Sequence, residues 1–482
     1  MKFGGREELT IRKRNGDAVP FNQARIRSAI RKAVLAVEVK PKQPPEKIAD
    51  EFTARTVSGL EASPTNLDTL TVEDVQKAIL KVLHEDAKNG AGALTSDPLR
   101  LWEAYLFYSM GRKLVREGLL PDELFAPKTI IDDSVRHVKA WNRRWDCDST
   151  EKLNEWYRGE KGKDIRELMD GAEKERAEDM RNAAKRIQNA LEEKNVRLIA
   201  ICGPSSSGKT TTIRSLLAFL SQSLPNLRFQ GIEVDNYFMG WDRHPVHSYN
   251  VGGEQVIDYD YEKPAAYQVD LLNEHLALLL NGKRVLLPEY DFRAGRSYLD
   301  RIPFRLEEGA ILLLDCLHAI HPMMTASVPR QNKMIVYTEA MNMIRDADGE
   351  YVRWTDVRLM RRALRDPAHR GIPKLATFWH WWLVRQGEAE MLPFIKTADL
   401  ALNGGHPCEL PIYKRFLHEA LVREMLPVFE KNPDLYDALA RARRIDRLLG
   451  QVETASDAQV DLVPRASVLR EFIGGSAWFE GL

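Results

Sequence analysis

The chain opens with short-period patterning and passes quickly to helical spacing. LTIRKRNGDAVPF, from Leu9 to Phe21, reads as strand, turn and strand, with Asn15-Gly16 supplying the hairpin turn. Ile26, Ile30, Ala33, Val34 and Val37 then recur on one helical face. A second helix is expected from Thr71, an N-cap with Asp74 at N3, and a third carries Leu101, Tyr105, Tyr108 and Leu114. Trp141, Trp145 and Trp156 follow among many charges. From Asp164 to Asn195 the chain is almost all Glu, Lys, Ala and Arg, which predicts one long charged helix with a solvated face. At Val196 the texture changes. VRLIAICG has the apolar, β-prone character of a strand buried on both faces, and FQGIEVD, RVLLPEY, AILLLDCL and KMIVYTE repeat it. Helical patterns lie between them, so a mostly parallel α/β sheet is expected. Residues 416–482 read as a short, charged helical extension ending in VLREFIGGS.

A length of 482 residues suggests two or three domains. Four regions separate by pattern: 1–118, a connector over 119–195, an α/β region over 196–415, and the extension 416–482. Lys and Arg total 70, as do Asp and Glu, so a generally polybasic nucleic-acid binder is not expected. No apolar run approaches the roughly 20 residues that span a bilayer, and the start lacks a signal-peptide core. The four cysteines are far apart with no CxxC pair, which fits the cytoplasm better than a disulfide framework.

The strongest chemical signal is GPSSSGKT at 203–210, of the form GxxxxGK[ST], between a buried strand and the helical pattern TTIRSLLAFLSQSL. Gly203 and Gly208 let the backbone curl so that successive N–H groups face a phosphate chain, which Ser205, Ser206, Ser207 and Thr211 would also line. Lys209 would neutralise β/γ-phosphate charge, and Thr210 would offer its hydroxyl to Mg²⁺. EVDNYF places Asp235 at the carboxyl edge of the sheet. There it reads either as a base for an attacking hydroxyl or as a carboxylate closing a turn. Asp315 ends AILLLDCL and reads as a magnesium ligand or as a helix N-cap.

DVRLMRRALRDPAHRG puts Arg358, Arg361, Arg362 and Arg365 on one helical face. The row reads as a lid over triphosphate or as a solvated face, with Pro367 and Gly371 stopping the helix and allowing a hinge. His318/His321 and His244/His247 lack the further ligands a zinc site needs. Trp379, His380, Trp381 and Trp382 read as core or interface.

With these pieces in order, residues 196–415 resemble the uridine kinase/phosphoribulokinase family of P-loop kinases. The matching pieces are GPSSSGKT, DNYF, YDYEKPAAYQVDLLNEHLALLLNGKRVLLPEYDF, ILLLDCLHAIHP and RLMRRALRDPAHRG. WLVRQGEAEMLPF and VLREFIGGS bring the segment closest to a bacterial uridine kinase-like branch that often carries TGS and HxxxH segments. The resemblance implies Asp235 as catalytic base, Glu262 as the acceptor-binding carboxylate, and Tyr290 and Phe292 as the base-stacking segment. It implies Arg362, Arg365 and Arg370 as lid arginines. Asp315-Cys316 replaces the family's Glu-Gly pair. Gly295 stands where ordinary uridine kinases have a His, with Arg293 and Arg296 nearby, so an anionic acceptor is an alternative.

IRKRNGDAVPFNQARIRSAIRKAV resembles an ATP-cone, the regulatory nucleotide module of ribonucleotide reductases and their repressors. That likeness implies a small, mostly helical domain binding ATP or dATP as effector through Lys13 and Arg14, with Asn22 and Arg25 at further matching positions. Together the resemblances imply an ATP- and Mg²⁺-dependent kinase of a nucleoside such as uridine or cytidine. It would be regulated at the cone, homo-oligomeric, and without nucleic-acid or membrane partners. A kinase of another metabolite such as a sugar phosphate is the alternative enzyme. A non-catalytic nucleotide sensor is the rival from another class.

Overall fold

The computed structural model describes residues 10–12, 18–37, 43–62, 70–89, 95, 97–120 and 131–478. The chain divides into two units, 1–125 and 126–482.

In the first unit, β1 (Thr10–Arg12) pairs antiparallel with β2 (Ala18–Pro20). The expected Asn15-Gly16 turn lies outside the described residues. Four helices follow: α1 (Gln23–Ala36), α2 (Pro45–Glu61), α3 (Val72–Lys88) and α4 (Pro98–Arg116). The expected face of α1 is the buried one, with Ile26, Ile30, Ala33 and Val34 inside. Thr71 caps α3 in a reciprocal box, its hydroxyl accepting from the Asp74 N–H while Asp74 accepts from the Thr71 N–H.

The second unit begins with α5 (Ile131–Arg144), α6 (Thr150–Arg158) and α7 (Ile165–Glu193). The long charged helix was expected to be solvated, yet α7 buries two patches. Its first half puts Ile165, Leu168, Met169 and Ala172 into one core, and its second half puts Met180, Ala183, Ala184 and Ile187 into another. Its small and apolar residues fall on one side, so charge density alone concealed an amphipathic helix.

Behind α7 lies a five-stranded, wholly parallel sheet in the order β11-β10-β3-β9-β4. Its strands are β3 (Leu198–Cys202), β4 (Phe229–Glu233), β9 (Ile311–Asp315), β10 (Lys333–Glu339) and β11 (Leu400–Asn403). β3 is buried along its whole length, as its unbroken apolar run requires. α8 (Lys209–Ser223) packs beside α7 through Ile213, Leu216 and Leu220. Two antiparallel hairpins stand apart from the sheet: β5 (Val246–Val251) with β6 (Glu254–Tyr259), and β7 (Arg284–Asp291) with β8 (Arg296–Arg305).

RVLLPEY, expected among the sheet strands, therefore lies in the second hairpin as β7. Its burial alternates, which suits a strand with only one covered face. The fifth place in the sheet goes to Leu400–Asn403, too short for periodicity to reveal.

α9 (Val269–Leu280) lies between the hairpins in sequence. α10 (Trp354–His369), α11 (Lys374–Met391), α12 (Glu409–Ala420), α13 (Leu426–Lys431), α14 (Tyr436–Gly450), α15 (Asp457–Asp461) and α16 (Arg470–Ile473) complete the unit. α10 runs on through Pro367, which was expected to stop it. Residues 416–482, expected as an extension, return to the body of the unit: Leu417, Phe429, Ile445, Val468 and Phe472 share a core with Val357 and Trp381.

Candidate functional site

The loop 203–208 leaves the end of β3 and enters α8. Its glycines answer to close approaches. A Cβ on Gly203 would stand 2.2 Å from the Thr338 carbonyl oxygen, and Gly208 takes φ +89° as the cap of α8. The neighbouring Gly404 lets the chain pass so close that a Cβ there would lie 1.9 Å from the Ser207 carbonyl oxygen. Lys209 Nζ donates to the Gly203 carbonyl at 3.1 Å and so spans the loop. The hydroxyls of Ser206 and Ser207 are buried without a hydrogen-bond partner among the described residues.

The arginines of α10 hold this loop from beneath. Arg358 donates to the Ser205 carbonyl at 3.2 Å and Arg361 to the Ser206 carbonyl at 3.3 Å. Both are fully buried, so the expected open row does not exist at these two positions. Burial would depress their pKa, but the carboxylates outweigh it: Glu339 and Glu388 for Arg358, Glu409 for Arg361. Both stay charged, and their work is to brace the loop. Arg362 reaches the Ser205 hydroxyl at 3.1 Å. Arg365 faces Glu471 at 3.4 Å, and Arg370, 44% exposed at its side chain, lies 3.6 Å from Asp366.

Asp235 sits in a short turn directly after β4, and Asp315 ends β9 in register with Glu233. Solvent reaches both, yet both are crowded by protein. Desolvation pushes the Asp315 carboxyl up to about 6; Lys209 opposes this, while Asp235 and Glu471 add to it. Asp235 is likewise pushed above the usual carboxylate range by desolvation, against Arg370 and Lys209 and with help from Glu262. Lys209, Asp235 and Asp315 are thus electrostatic neighbours at the carboxyl edge of the sheet, where open α/β folds bind ligands. Thr210, partly exposed, follows Lys209 in the first turn of α8.

Glu262 is buried, and its Oε1 accepts from Arg362 at 2.7 Å and from His380 Nε2 at 3.1 Å. His380 Nδ1 meets Asp258 at 2.8 Å. Burial would discharge this imidazole, but Asp258 and Glu262 raise it to about 9, so it is protonated at neutral pH. Burial would also raise Glu262, but Arg362 and His380 hold it well below the usual carboxylate range. α11 comes so close that a Cβ on Gly387 would lie 1.8 Å from the Glu262 carbonyl oxygen. The sequence presents His380 only as core or interface, because WHWW shows apolar bulk and nothing of Asp258 or Glu262.

Tyr290 is buried, with its hydroxyl 3.1 Å from that of Tyr261 and its N–H donating to Asn236, beside Asp235. Phe292 is 52% exposed, its ring 4.9 Å from Tyr290 and 6.0 Å from Phe238. Arg293 and Arg296 are exposed at the β7–β8 turn. Gly295 is backed by Trp241, whose indole would lie 1.9 Å from an added Cβ and which stacks on Tyr259 at 4.5 Å. No side chain fits at position 295, which accounts for the missing histidine. His318 is buried and neutral, pushed down to about 3 chiefly by burial, and neither ring nitrogen has a hydrogen-bond partner among the described residues. No group of three or more metal-binding His, Cys, Asp or Glu side chains occurs among the described residues.

In the first unit, Asn22 caps α1, its Oδ1 accepting from the Ala24 N–H at 2.9 Å, and Arg25 is exposed in the first turn. Lys13 and Arg14 lie outside the described residues.

Residues 9–114 match the model described as "ATP cone domain", and residues 198–400 match "Phosphoribulokinase / Uridine kinase family". A uridine kinase of Halobacterium salinarum is 27% identical over 173 residues, 36% of this chain and 64% of its own length. A uridine kinase of Streptococcus uberis is 26% identical over 174 residues, 36% of this chain and 69% of its own. Uridine kinase-like protein 3 of Arabidopsis thaliana is 26% identical over 212 residues, 43% of this chain and 39% of its own. The chain thus spans less than two thirds of the halobacterial relative. No described helix is long and apolar enough to cross a membrane.

Proposed function

From a chain whose residues 198–400 are a phosphoribulokinase/uridine kinase family domain and whose residues 9–114 are an ATP cone domain, we propose an ATP-dependent small-molecule kinase under nucleotide control. The observation that carries the reading is the loop 203–208 running from β3 into α8 at Lys209, with Asp235 directly after β4 and Asp315 at the end of β9 on the same edge of the parallel sheet. Asp235 and Asp315 bring carboxylate oxygens to the same edge as Lys209, and hard oxygen donors beside a phosphate site suit a divalent cation. Thr210 and Asp315 would hold Mg²⁺, which neutralises phosphate charge when bound. Gly203, Ser205, Ser206, Ser207, Gly208 and Thr211 would line the triphosphate, with Arg370 at the opening.

Asp235 accepts the proton of the attacking hydroxyl. Its raised pKa brings it closer to the range useful for a base at neutral pH. Glu262, held by Arg362 and His380 through Oε1, presents Oε2 to acceptor hydroxyls. Tyr290 and Phe292 form an aromatic wall on which a nucleobase stacks, so the acceptor is a nucleoside of the uridine or cytidine kind. Arg365 stabilises charge on the transferring group. Residues 1–118 would act as the regulator and 196–415 would carry the chemistry, with ATP or dATP as effector. The protein acts as a homo-oligomer in the cytoplasm.

A second reading draws on Arg293 and Arg296, exposed beside Phe292: an anionic acceptor such as a sugar phosphate. Acceptor-dependent ADP release, measured across nucleosides and sugar phosphates, decides between them. Turnover with a nucleoside supports the first, turnover with a sugar phosphate alone selects the second, and turnover with neither leaves a nucleotide sensor.

A further inference from the structure

Glu471, in the C-terminal segment, occupies the phosphate loop's own donors. Its Oε2 accepts from the Thr211 N–H at 3.2 Å and from the Thr211 hydroxyl at 2.7 Å. Thr211 is the third residue of α8, so its N–H is one of the helix-start donors that lack an intrahelical partner. Those donors, with the helix dipole behind them, are what a phosphate loop offers to a nucleotide. An internal carboxylate already sits on them, and both residues are buried, Thr211 at 0% and Glu471 at 3% exposure. The other oxygen of Glu471 faces Arg365 of α10 at 3.4 Å.

The segment that carries this carboxylate is well seated. A Cβ on Gly208 would lie 2.8 Å from a Val468 methyl carbon, so the chain passes directly over the loop. Arg470 donates to the carbonyls of Val460 and Val463 at 3.1 and 2.9 Å. The Phe472 ring lies 4.8 Å from the Arg361 guanidinium.

We propose that Glu471 is an internal stand-in for a nucleotide phosphate, and that the segment 467–476 is a latch which nucleotide displaces. The inference rests on the reading of the loop as an ATP site. Two anions cannot share the Thr211 donors, so nucleotide loads only the state in which Glu471 has left, and its apparent affinity falls by the population of that state. Release of Glu471 also frees Arg365, which is then available to the phosphate chain. One carboxylate thereby ties loading of the loop to arming of α10, and the closed form is protected against idle ATP hydrolysis.

The experiment is hydrogen exchange on the full chain, titrated with Mg²⁺-ATP and no acceptor, read separately in peptides covering 203–212 and 467–476. Site-resolved reading keeps nucleotide bound at the cone from obscuring the result. As ATP rises, exchange should slow in 203–212 and quicken in 467–476. Glu471→Gln, which keeps the shape and removes the charge, should shift the midpoint in 203–212 to at least about fivefold lower ATP, and Glu471→Ala should shift it the same way. Constant or slowed exchange in 467–476 on ATP binding overturns the proposal. So does a midpoint that is unchanged or raised in both variants. The wild-type response needs no variant to fold. No acceptor is present, so the latch can fail while kinase activity stands; conversely, a protein that phosphorylates no acceptor still yields a readable midpoint.

Discussion

Arg362 donates to the Glu262 carboxylate at 2.7 Å, and the same guanidinium nitrogen reaches the Ser205 hydroxyl at 3.1 Å. Glu262, proposed to hold the acceptor, and the phosphate loop are therefore joined through one buried side chain. Arg362 is further tied to Asp366 at 3.1 Å, so it cannot swing freely while both carboxylates are charged. This geometry makes Arg362 less a moving finger than a strut between Glu262 and the loop. Glu262→Gln keeps a carbonyl for Arg362 but discharges the pair and weakens the hold on His380. Unfolding free energy should fall by about 1–3 kcal/mol, the cost of partly unsatisfying buried charged donors. Discrimination between ribo- and deoxyribonucleosides in kcat/KM should shrink as well, since a site built to bond a hydroxyl loses that preference with its acceptor. Denaturant titration and paired kinetics check the two effects; unchanged discrimination removes Glu262 from acceptor recognition.

Lys209 and Asp235 should act at different steps. Lys209 spans the loop and carries the charge that a triphosphate needs, so Lys209→Ala should weaken ATP binding and abolish turnover. Asp235 is proposed as the base, so Asp235→Asn should bind ATP almost normally while kcat falls by about 10²–10⁴. Calorimetric titration with single-turnover kinetics separates the two. Near-normal kcat in Asp235→Asn would remove it from the base role.

Two titrating groups each cost the protein stability as pH rises, in separate windows. His380 is raised to about 9 by Asp258 and Glu262 despite its burial, so the folded state binds this proton more tightly than the unfolded chain. Its contribution is fully present below the ordinary histidine range and is lost as pH rises through about 9. Asp315 is raised to about 6, so its cost to stability is absent below the ordinary carboxylate range and complete above about 6. The contribution of Asp315 should therefore decline from pH 4 to 6 and that of His380 from pH 7 to 9, each read as the difference between the parent protein and the matching variant. Asp315→Asn should flatten the first decline and raise Tm at pH 7 by about 1–3 °C, a modest gain because solvent reaches the carboxylate. His380→Asn should flatten only the second. Thermal melts across pH test both; a variant that keeps the decline assigned to it contradicts that assignment.

The phosphate loop was legible because all its geometry lies in eight consecutive residues between a recognisable strand and helix. Asp315 could be placed for a similar reason, since a buried apolar run has an unmistakable end. The arginine row was visible as a face of α10, but its partners were not. Glu339 ends the strand before α10, while Glu388 and Glu409 lie on the two helices after it, and only folding shows that Arg358 and Arg361 are spent on them. RVLLPEY shows the same limit for strands: local composition predicts extension but not which sheet receives it. Glu471 lay in plain view within VLREFIGGS, 260 positions from the Thr211 it binds, and no local pattern pairs residues at that separation.

Residues 9–118 should regulate the protein by binding a second nucleotide. Lys13 and Arg14 carry the resemblance to the cone's nucleotide-binding pair, Arg25 is exposed in the first turn of α1, and Asn22 is engaged as its cap. A nucleotide there regulates only if it binds two states of the protein with different affinity. Asn22 already serves α1, so its substitution would disturb the helix and confuse the result, whereas Lys13 and Arg14 offer charge that can be removed directly. A coupling of about 1–3 kcal/mol would change acceptor affinity or oligomer population several-fold or more. For the full chain, ATP and dATP should each give a second nucleotide per chain beyond the phosphate loop, with a change in particle mass or in acceptor KM. Lys13→Ala/Arg14→Ala should lose that second nucleotide and its effect while retaining turnover. Stoichiometry by calorimetry, mass by light scattering and kinetics on the same samples provide the test. One nucleotide per chain in the intact protein, or identical mass and kinetics in the double variant, would leave the cone a structural module here.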